Sequence, residues 1–258
     1  KMRFHELIIN VFLFNYVRCY FIYNNSSYRK PINAGSVPNY FDWRNENAVS
    51  PVQDQQSCGA CWAFSAVANI ESHIKIYIGD NVRLSEQFLI DCEVERTGCK
   101  STTVLKIFSQ IVSVFGGVLK GTDYYPYSDR AEICRWNGRV PRPFPVVGFR
   151  RVLPNEAVMM EYLYRYGPLS AAINSASMRD PSYRPGTIDE PNENQCSTLR
   201  KDLDHAVLIV GYKTGKTTPY WIIKNSWGTS WGDNGYYYLV RGRNACGIAN
   251  DVSFSIVQ

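Results

Sequence analysis

The 258-residue chain lacks the features that would assign it to several large classes of protein. It has no run of lysine or arginine: the 28 basic residues are scattered against 23 acidic ones, and a formal charge of +5 without clustering does not track a phosphate backbone. Nucleic acid is therefore not an expected partner. No internal repeat or low-complexity stretch occurs. No apolar run is long enough to cross a bilayer: the longest candidate, Leu7-Ile8-Ile9-Asn10-Val11-Phe12-Leu13-Phe14, has the length of a secretory h-region. Apart from Cys58 and Cys61 there is no closely spaced cysteine pair, so the convergent ligands of a structural zinc site are missing and no metal or organic cofactor is expected.

What is present is eight cysteines, spaced through what read as loops. Such spacing points to disulfides, and thus to an oxidising compartment, lysosomal or extracellular. The composition, 45% hydrophobic and 14% aromatic, is enough to build real cores. Residues 1–35 fit poorly with the remainder and read as a signal-like segment or the remnant of a truncated pro-segment. Asn24-Asn25-Ser26-Ser27 holds two overlapping glycosylation sequons, and Cys19 has no assigned role.

Along the rest of the chain two halves differ in pattern. The run Cys61 to Ile78 is apolar on almost every side and predicts a buried helix. Leu84 to Ile90 predicts a second helix with a serine cap, and Ser101 to Phe115 a third. From Val146 onward, Leu169–Ile173, Ala206–Val210, Tyr220–Lys224 and Gly235–Val240 are short β-rich runs separated by Gly, Pro and Asp turns. A helical part over about 50–145 and a β part over about 146–245 imply two subdomains with a cleft between them.

Chemistry is carried by Gln55-Gln56-Ser57-Cys58-Gly59-Ala60-Cys61-Trp62, which opens the first helix, and far downstream by Asp204-His205-Ala206 and Asn225-Ser226-Trp227-Gly228. A thiol at the positive end of a helix, an imidazole to take its proton and an amide to orient that imidazole make a nucleophile, a base and an orienter. Each alone has a plainer reading: a core cysteine, a structural histidine, a turn asparagine. Their joint occurrence in this order favours catalysis. From Ser36 to Gln258 the chain resembles the papain-like cysteine proteases, whose Cys-Gly-[Ser/Ala]-Cys-Trp signature it carries. Its C-terminal third, Pro219-Tyr220-Trp221 through Ala249, is similar to cathepsin O and the baculoviral cathepsins.

The resemblance implies an α+β fold of two subdomains, one helical and one β-barrel-like, with the active-site cleft between them. It implies Cys61 as nucleophile, His205 as acid and base, Asn225 as orienter shielded by Trp227, and Gln55 as oxyanion donor. It pairs Cys58 with Cys99, Cys92 with Cys134 and Cys196 with Cys246, leaving Cys61 free; a bridge closing a loop such as 58–99 is worth roughly 4 kcal/mol in the chain-entropy model. It places Asp251 at the floor of the main specificity pocket with Ala172 and Leu203 as walls, which suggests that Arg is accepted there as well as apolar side chains. The expected partners are peptide or protein substrates and cystatin-like inhibitors, and the expected state a monomer. No adjacent histidine pair is present to cap the cleft, so endopeptidase is favoured over exopeptidase.

One departure stands out. Relatives follow the cysteine matching Cys99 with Asn-Gly-Gly, whereas this chain has Lys100-Ser101-Thr102-Thr103, whose Cβ atoms would crowd a substrate backbone. It motivates a second reading, a weak or inactive homologue acting as a binding protein. Cys58-Gly59-Ala60-Cys61 also permits a remote third, a thiol-disulfide oxidoreductase.

Overall fold

The computed structural model describes residues 36–258; the segment 1–35, with its sequons, Cys19 and signal-like run, lies outside the described residues. In chain order the strands are β1 (Tyr40–Asp42), β2 (Gly117–Val118), β3 (Phe144–Val152), β4 (Leu169–Ile173), β5 (Ile188–Asp189), β6 (His205–Lys213), β7 (Tyr220–Lys224), β8 (Tyr236–Val240) and β9 (Val252–Val257). The α-helices are α1 (Cys61–Ile78), α2 (Glu86–Cys92), α3 (Val104–Gln110) and α4 (Glu156–Tyr166).

Local chemistry sets the helix ends. The Ser85 hydroxyl accepts the Phe88 N–H at the start of α2, the Thr103 hydroxyl accepts Lys106 N–H at the start of α3, and the Asn155 side-chain Oδ1 accepts Ala157 and Val158 N–H before α4. α1 stops at Gly79, which takes a left-handed conformation and bonds back to Ile74 and Lys75 carbonyls. The third helix is shorter than its sequence suggests: it begins at Val104, and its C-terminal part, Ile111–Phe115, widens into a π-turn before Gly116. α4 falls within the part read as strands. Its apolar residues Met159, Leu163 and Tyr166 recur at helical spacing and are buried.

The strands run in the order β2-β3-β9-β4-β6-β7-β8-β5, with β1 added to β6; all pairs are antiparallel except β5 with β8. Two large apolar cores result. One gathers Trp62, Ile70, Ile74, Phe88 and Phe108 from the three N-terminal helices. The other gathers Leu163, Leu169, Val207, Trp221, Tyr237 and Phe254 from α4 and the sheet.

α1 packs against β4, β6 and β9 as well as against α2 and α3. Part of its contact with the sheet is a polar seam. The Ser65 hydroxyl donates to Val207 O at 2.8 Å, and Ser170 returns a bond to Ser65 O at 3.1 Å. The Asn69 amide donates to Pro168 O at 2.8 Å, while its oxygen accepts both the N–H and the hydroxyl of Ser255 at 2.9 Å. These groups are buried, and leaving any of them unpaired would cost a desolvation penalty, so the seam fixes how α1 slides and rotates on β6, β4 and β9. Because Cys61 is the first residue of α1 and His205 the first of β6, that register decides where they meet.

Candidate active site

The first turn of α1 is unusual in having no cap. Ala60 offers no side-chain acceptor and no acidic residue lies in the turn. Ala63 and Phe64 N–H groups bond to Ala60 O, whereas the N–H groups of Cys61 and Trp62 face the Cys61 sulfur, joined by that of Ala206 from β6. The sulfur occupies the place that a capping oxygen takes in other helices.

The segment before it is clamped. The Asp129 carboxylate accepts Ser57 and Cys58 N–H, the Tyr127 hydroxyl donates to Gln55 O, and Cys58 is joined to Cys99. Gly59 passes so close to Cys99 that a Cβ would stand 2.4 Å from its carbonyl oxygen, which only glycine tolerates. Two further disulfides join Cys92 to Cys134 and Cys196 to Cys246; among the described residues Cys61 is the free cysteine, and it is only 5% exposed. With Cys58 bonded to Cys99, the Cys58–Cys61 pair that a redox reading needs is not formed.

His205 is equally buried and its Nε2 lies 2.8 Å from Asn225 Oδ1. That oxygen also accepts the Ser226 backbone N–H, which can only donate, so the atom is an acceptor and Nε2 carries the proton. Nδ1 is left with its lone pair. Trp227 covers the ring, the centroids 4.7 Å apart, and Trp231 packs edge-on against Trp227.

A short antiparallel pairing brings Gln55 into the same group. Gln55 N–H donates to Ser226 O, Gly228 N–H donates to Gln53 O, and Asp54 bridges Trp227. The Ser226 hydroxyl donates to Gln55 Oε1 at 2.7 Å, which fixes the amide so that Nε2 points toward the loop before Cys61, where it donates to Cys58 O at 2.9 Å. Ser226 was not singled out in the sequence, although its hydroxyl sets the orientation of Gln55. Its only signal there was its place beside Asn225.

Burial pushes the Cys61 thiol up and the His205 imidazole down to about 4. Neither group charges readily alone.

Asp251, Ala172 and Leu203, the residues expected at the specificity pocket, lie on neighbouring segments. Ala172 N–H donates to Asp251 O at 2.9 Å, and Leu203 reaches Gly247 in the turn held by the Cys196–Cys246 bridge. The Asp251 carboxylate is not open: Arg200 donates to it at 3.3 Å. Trp227, by contrast, stands with His205. At the departure Lys100–Thr103, Lys100 O accepts the Trp62 indole N–H and Thr103 caps α3.

A family model described as "Papain family cysteine protease" matches residues 37–256. The chain belongs to that family. It is 39% identical over 235 residues to cathepsin F of Drosophila melanogaster, covering 88% of this chain and 37% of that protein. It is 38% identical over 221 residues to the viral cathepsin of Heliothis zea nuclear polyhedrosis virus, covering 86% and 57%. The chain thus spans roughly a third to three fifths of the length of these relatives. Among solved structures, bromelain protease from Ananas comosus in complex with the E64 inhibitor aligns with a TM-score of 0.75 at 36% identity, covering 86% of this chain and all of that one. Digestive procathepsin L2 of Tenebrio molitor aligns at 0.77 and 34%, covering 87% and 70%. The fold of this papain-family chain is accordingly α+β in two subdomains, helices on one side and sheet on the other.

Behind Asn225 and Ser226 a cavity of about 20 Å³, room for a water, is lined by three buried charged groups, Glu71, Glu86 and Lys224, and by the exposed Arg83. Glu71 accepts Arg83 and the Leu84 N–H, both at 2.8 Å. A glutamate inside a helix apolar on every side was the available sequence signal for this cluster. Burial, with Glu71 nearby, raises the Glu86 carboxyl to about 7, and burial lowers Lys224 to about 8. A folded-state value above the unfolded one means that the native protein binds the Glu86 proton more tightly; the resulting stability is full below pH 4.5 and is lost as pH rises through 7. Replacing Glu86→Gln is expected to remove that loss. Urea denaturation at pH 5 and pH 8 should show wild type falling against the variant by about 1–3 kcal/mol, whereas parallel changes would contradict the assignment.

Proposed function

We propose that this chain is a cysteine endopeptidase in which Cys61 attacks, His205 shuttles the proton, Asn225 orients His205 and Gln55 holds the oxyanion. The observation that carries the reading is that the one free thiol among the described residues lies at an uncapped helix N-terminus against the Ala206 N–H, next in sequence to His205, whose Nε2 is fixed by an asparagine oxygen. His205 Nδ1 takes the thiol proton and the thiolate attacks the peptide carbonyl. The carbonyl oxygen, gaining charge, is met by the Cys61 N–H and the second hydrogen of the Gln55 amide. Nδ1–H then protonates the leaving nitrogen, the C–N bond breaks, and a thioester remains. Water deprotonated by Nδ1 attacks that thioester, the acid leaves, and the sulfur regains its proton through the same ring.

Asn225 and Trp227 serve this cycle by keeping the ring in one tautomer and excluding water from its Nε2–H bond. The three disulfides suit an oxidising compartment, and a secreted or lysosomal location is the corresponding proposal. Peptides and proteins are the substrates, and cystatin-like inhibitors fit the same cleft. No α-helix among the described residues is long and apolar enough to cross a membrane.

For specificity, Asp251 with Ala172 and Leu203 is the proposed pocket for the second residue before the scissile bond. Arg200 is exposed and Asp251 only partly buried, so a substrate arginine competes with Arg200 for that carboxylate.

Gln55→Ala is expected to lower kcat about 100- to 1000-fold with little change in KM, as for loss of one oxyanion donor, while an epoxide that alkylates papain-like thiolates still labels Cys61 stoichiometrically. Unchanged kcat would contradict the role. For the pocket, Asp251→Ala should lower the ratio of kcat/KM for Arg over Phe peptides by about tenfold, and Arg200→Ala should raise it. An identical ratio in all three proteins would remove Asp251 from specificity.

A further inference from the structure

A second arginine lies near the proposed catalytic histidine, across Trp227. Arg179 closes the short 3-10 turn Ser177–Arg179, its N–H bonding back to the carbonyls of Ser175 and Ala176. Its guanidinium lies over the Trp227 ring, 5.5 Å from the centroid, and Trp227 in turn covers His205. Nε donates to the Ser175 hydroxyl at 3.1 Å, and Ser175 is buried and held by Asp204, which accepts its N–H at 2.7 Å and its hydroxyl at 3.0 Å. The anchoring uses one nitrogen of the fork. The neighbouring Asp180 carboxylate is turned to Ser182 N–H, and Arg179 forms no ion pair among the described residues. Its charge nevertheless reaches His205, where it opposes the imidazolium.

The direction of the chemistry says what passes this fork. If His205 protonates the leaving amine, the segment that leaves must run out from the scissile bond past the His205 ring, and the surface just beyond that ring is Trp227 with Arg179 upon it. We infer that Arg179 selects a carboxylate on the leaving segment within its first two residues, through the two nitrogens that its anchoring leaves free. A fork stacked on an aromatic face loses little further freedom in taking up a carboxylate with two parallel bonds. Two sources fit this chemistry: an Asp or Glu side chain inside a longer chain, or the terminal carboxylate of a two-residue leaving fragment. This rests on the protease reading above and adds to it a preference opposite in sign to that of Asp251.

The test uses quenched peptides identical except at the first and second leaving positions, which carry Asp, Asn or Lys and end in an amide beyond those positions. Arg179 is compared with Arg179→Lys, Arg179→Gln and Arg179→Glu, and the readout is the Asp:Lys ratio of kcat/KM within each protein, which cancels any loss common to all peptides. Wild type is expected to favour Asp by about three- to tenfold, as for an exposed charge pair. The ratio should survive in Arg179→Lys, approach one in Arg179→Gln and invert in Arg179→Glu. A further arm ends the Asn peptides at the second leaving residue, as free acid or as amide. A preference for the acid that Arg179→Gln abolishes assigns the terminal carboxylate as the source; none there, with a preference for Asp, assigns the side chain. An Asp:Lys ratio that is the same in wild type and Arg179→Glu, in protein that turns over and is labelled at Cys61, overturns the inference alone. Absence of both turnover and labelling overturns the protease reading and this inference with it.

Discussion

The site depends on the seating of one helix end. α1 brings its first turn, without a capping side chain, against the start of β6, so that backbone N–H groups from both elements surround a single sulfur. Several features that would look like separate facts follow from keeping that end in place. The Cys58–Cys99 bridge and the close passage of Gly59 hold the incoming chain, Asp129 and Tyr127 hold the turn before it, and Ser65 and Asn69 hold the helix against the sheet. The helix dipole alone contributes little at an exposed surface, typically below 1 kcal/mol. Buried at the junction of two cores, with an imidazole alongside, the same partial charge acts in a poorly screened setting and counts for more.

The partners of that thiol come from the other half of the chain, and the pairing of Gln53–Gln55 with Ser226–Gly228 explains how they are kept in step. Gln55 and Asn225 are far apart in sequence, yet Ser226 touches both, by its backbone and hydroxyl to Gln55 and by its N–H to Asn225. Shear between the two halves would therefore disturb Gln55 and His205 together. The charged groups around the cleft are held in a similar way. Asp251 is held by Arg200, and Arg179 by Ser175, itself bonded to Asp204.

Much of this was legible in the sequence because the motifs are local. The start of α1 at Cys61, its end at Ile78, the serine cap of α2 and the strand Tyr220–Lys224 are each set by nearby residues, through an apolar pattern, a hydroxyl at the right spacing or a β-branched run bounded by turns. α4 was missed although Asn155 and the spacing of Met159, Leu163 and Tyr166 encode it, because the strands on either side dominated the reading of that region. What the sequence did not disclose is long-range and polar. The bonds from Ser226 to Gln55, the Arg200–Asp251 pair and the stacking of Arg179 on Trp227 join residues whose spacing has no period, and a single arginine or serine in a loop carries no mark of its partner. The cluster of Glu71, Arg83, Glu86 and Lys224 is intermediate, since a charge within an all-round apolar helix signals a buried partner without naming it.

The central claim is that Cys61 and His205 exchange a proton within the buried site, so that the thiolate exists because the imidazolium does. The most direct measurement is the rate of Cys61 alkylation by a small neutral haloacetamide as a function of pH, in wild type and in His205→Gln. The account predicts that wild type reacts rapidly at pH values well below the ordinary thiol range near 8.5, and that the variant reacts only above it, since burial without the partner raises the thiol. Superimposable pH–rate curves for the two proteins would contradict it.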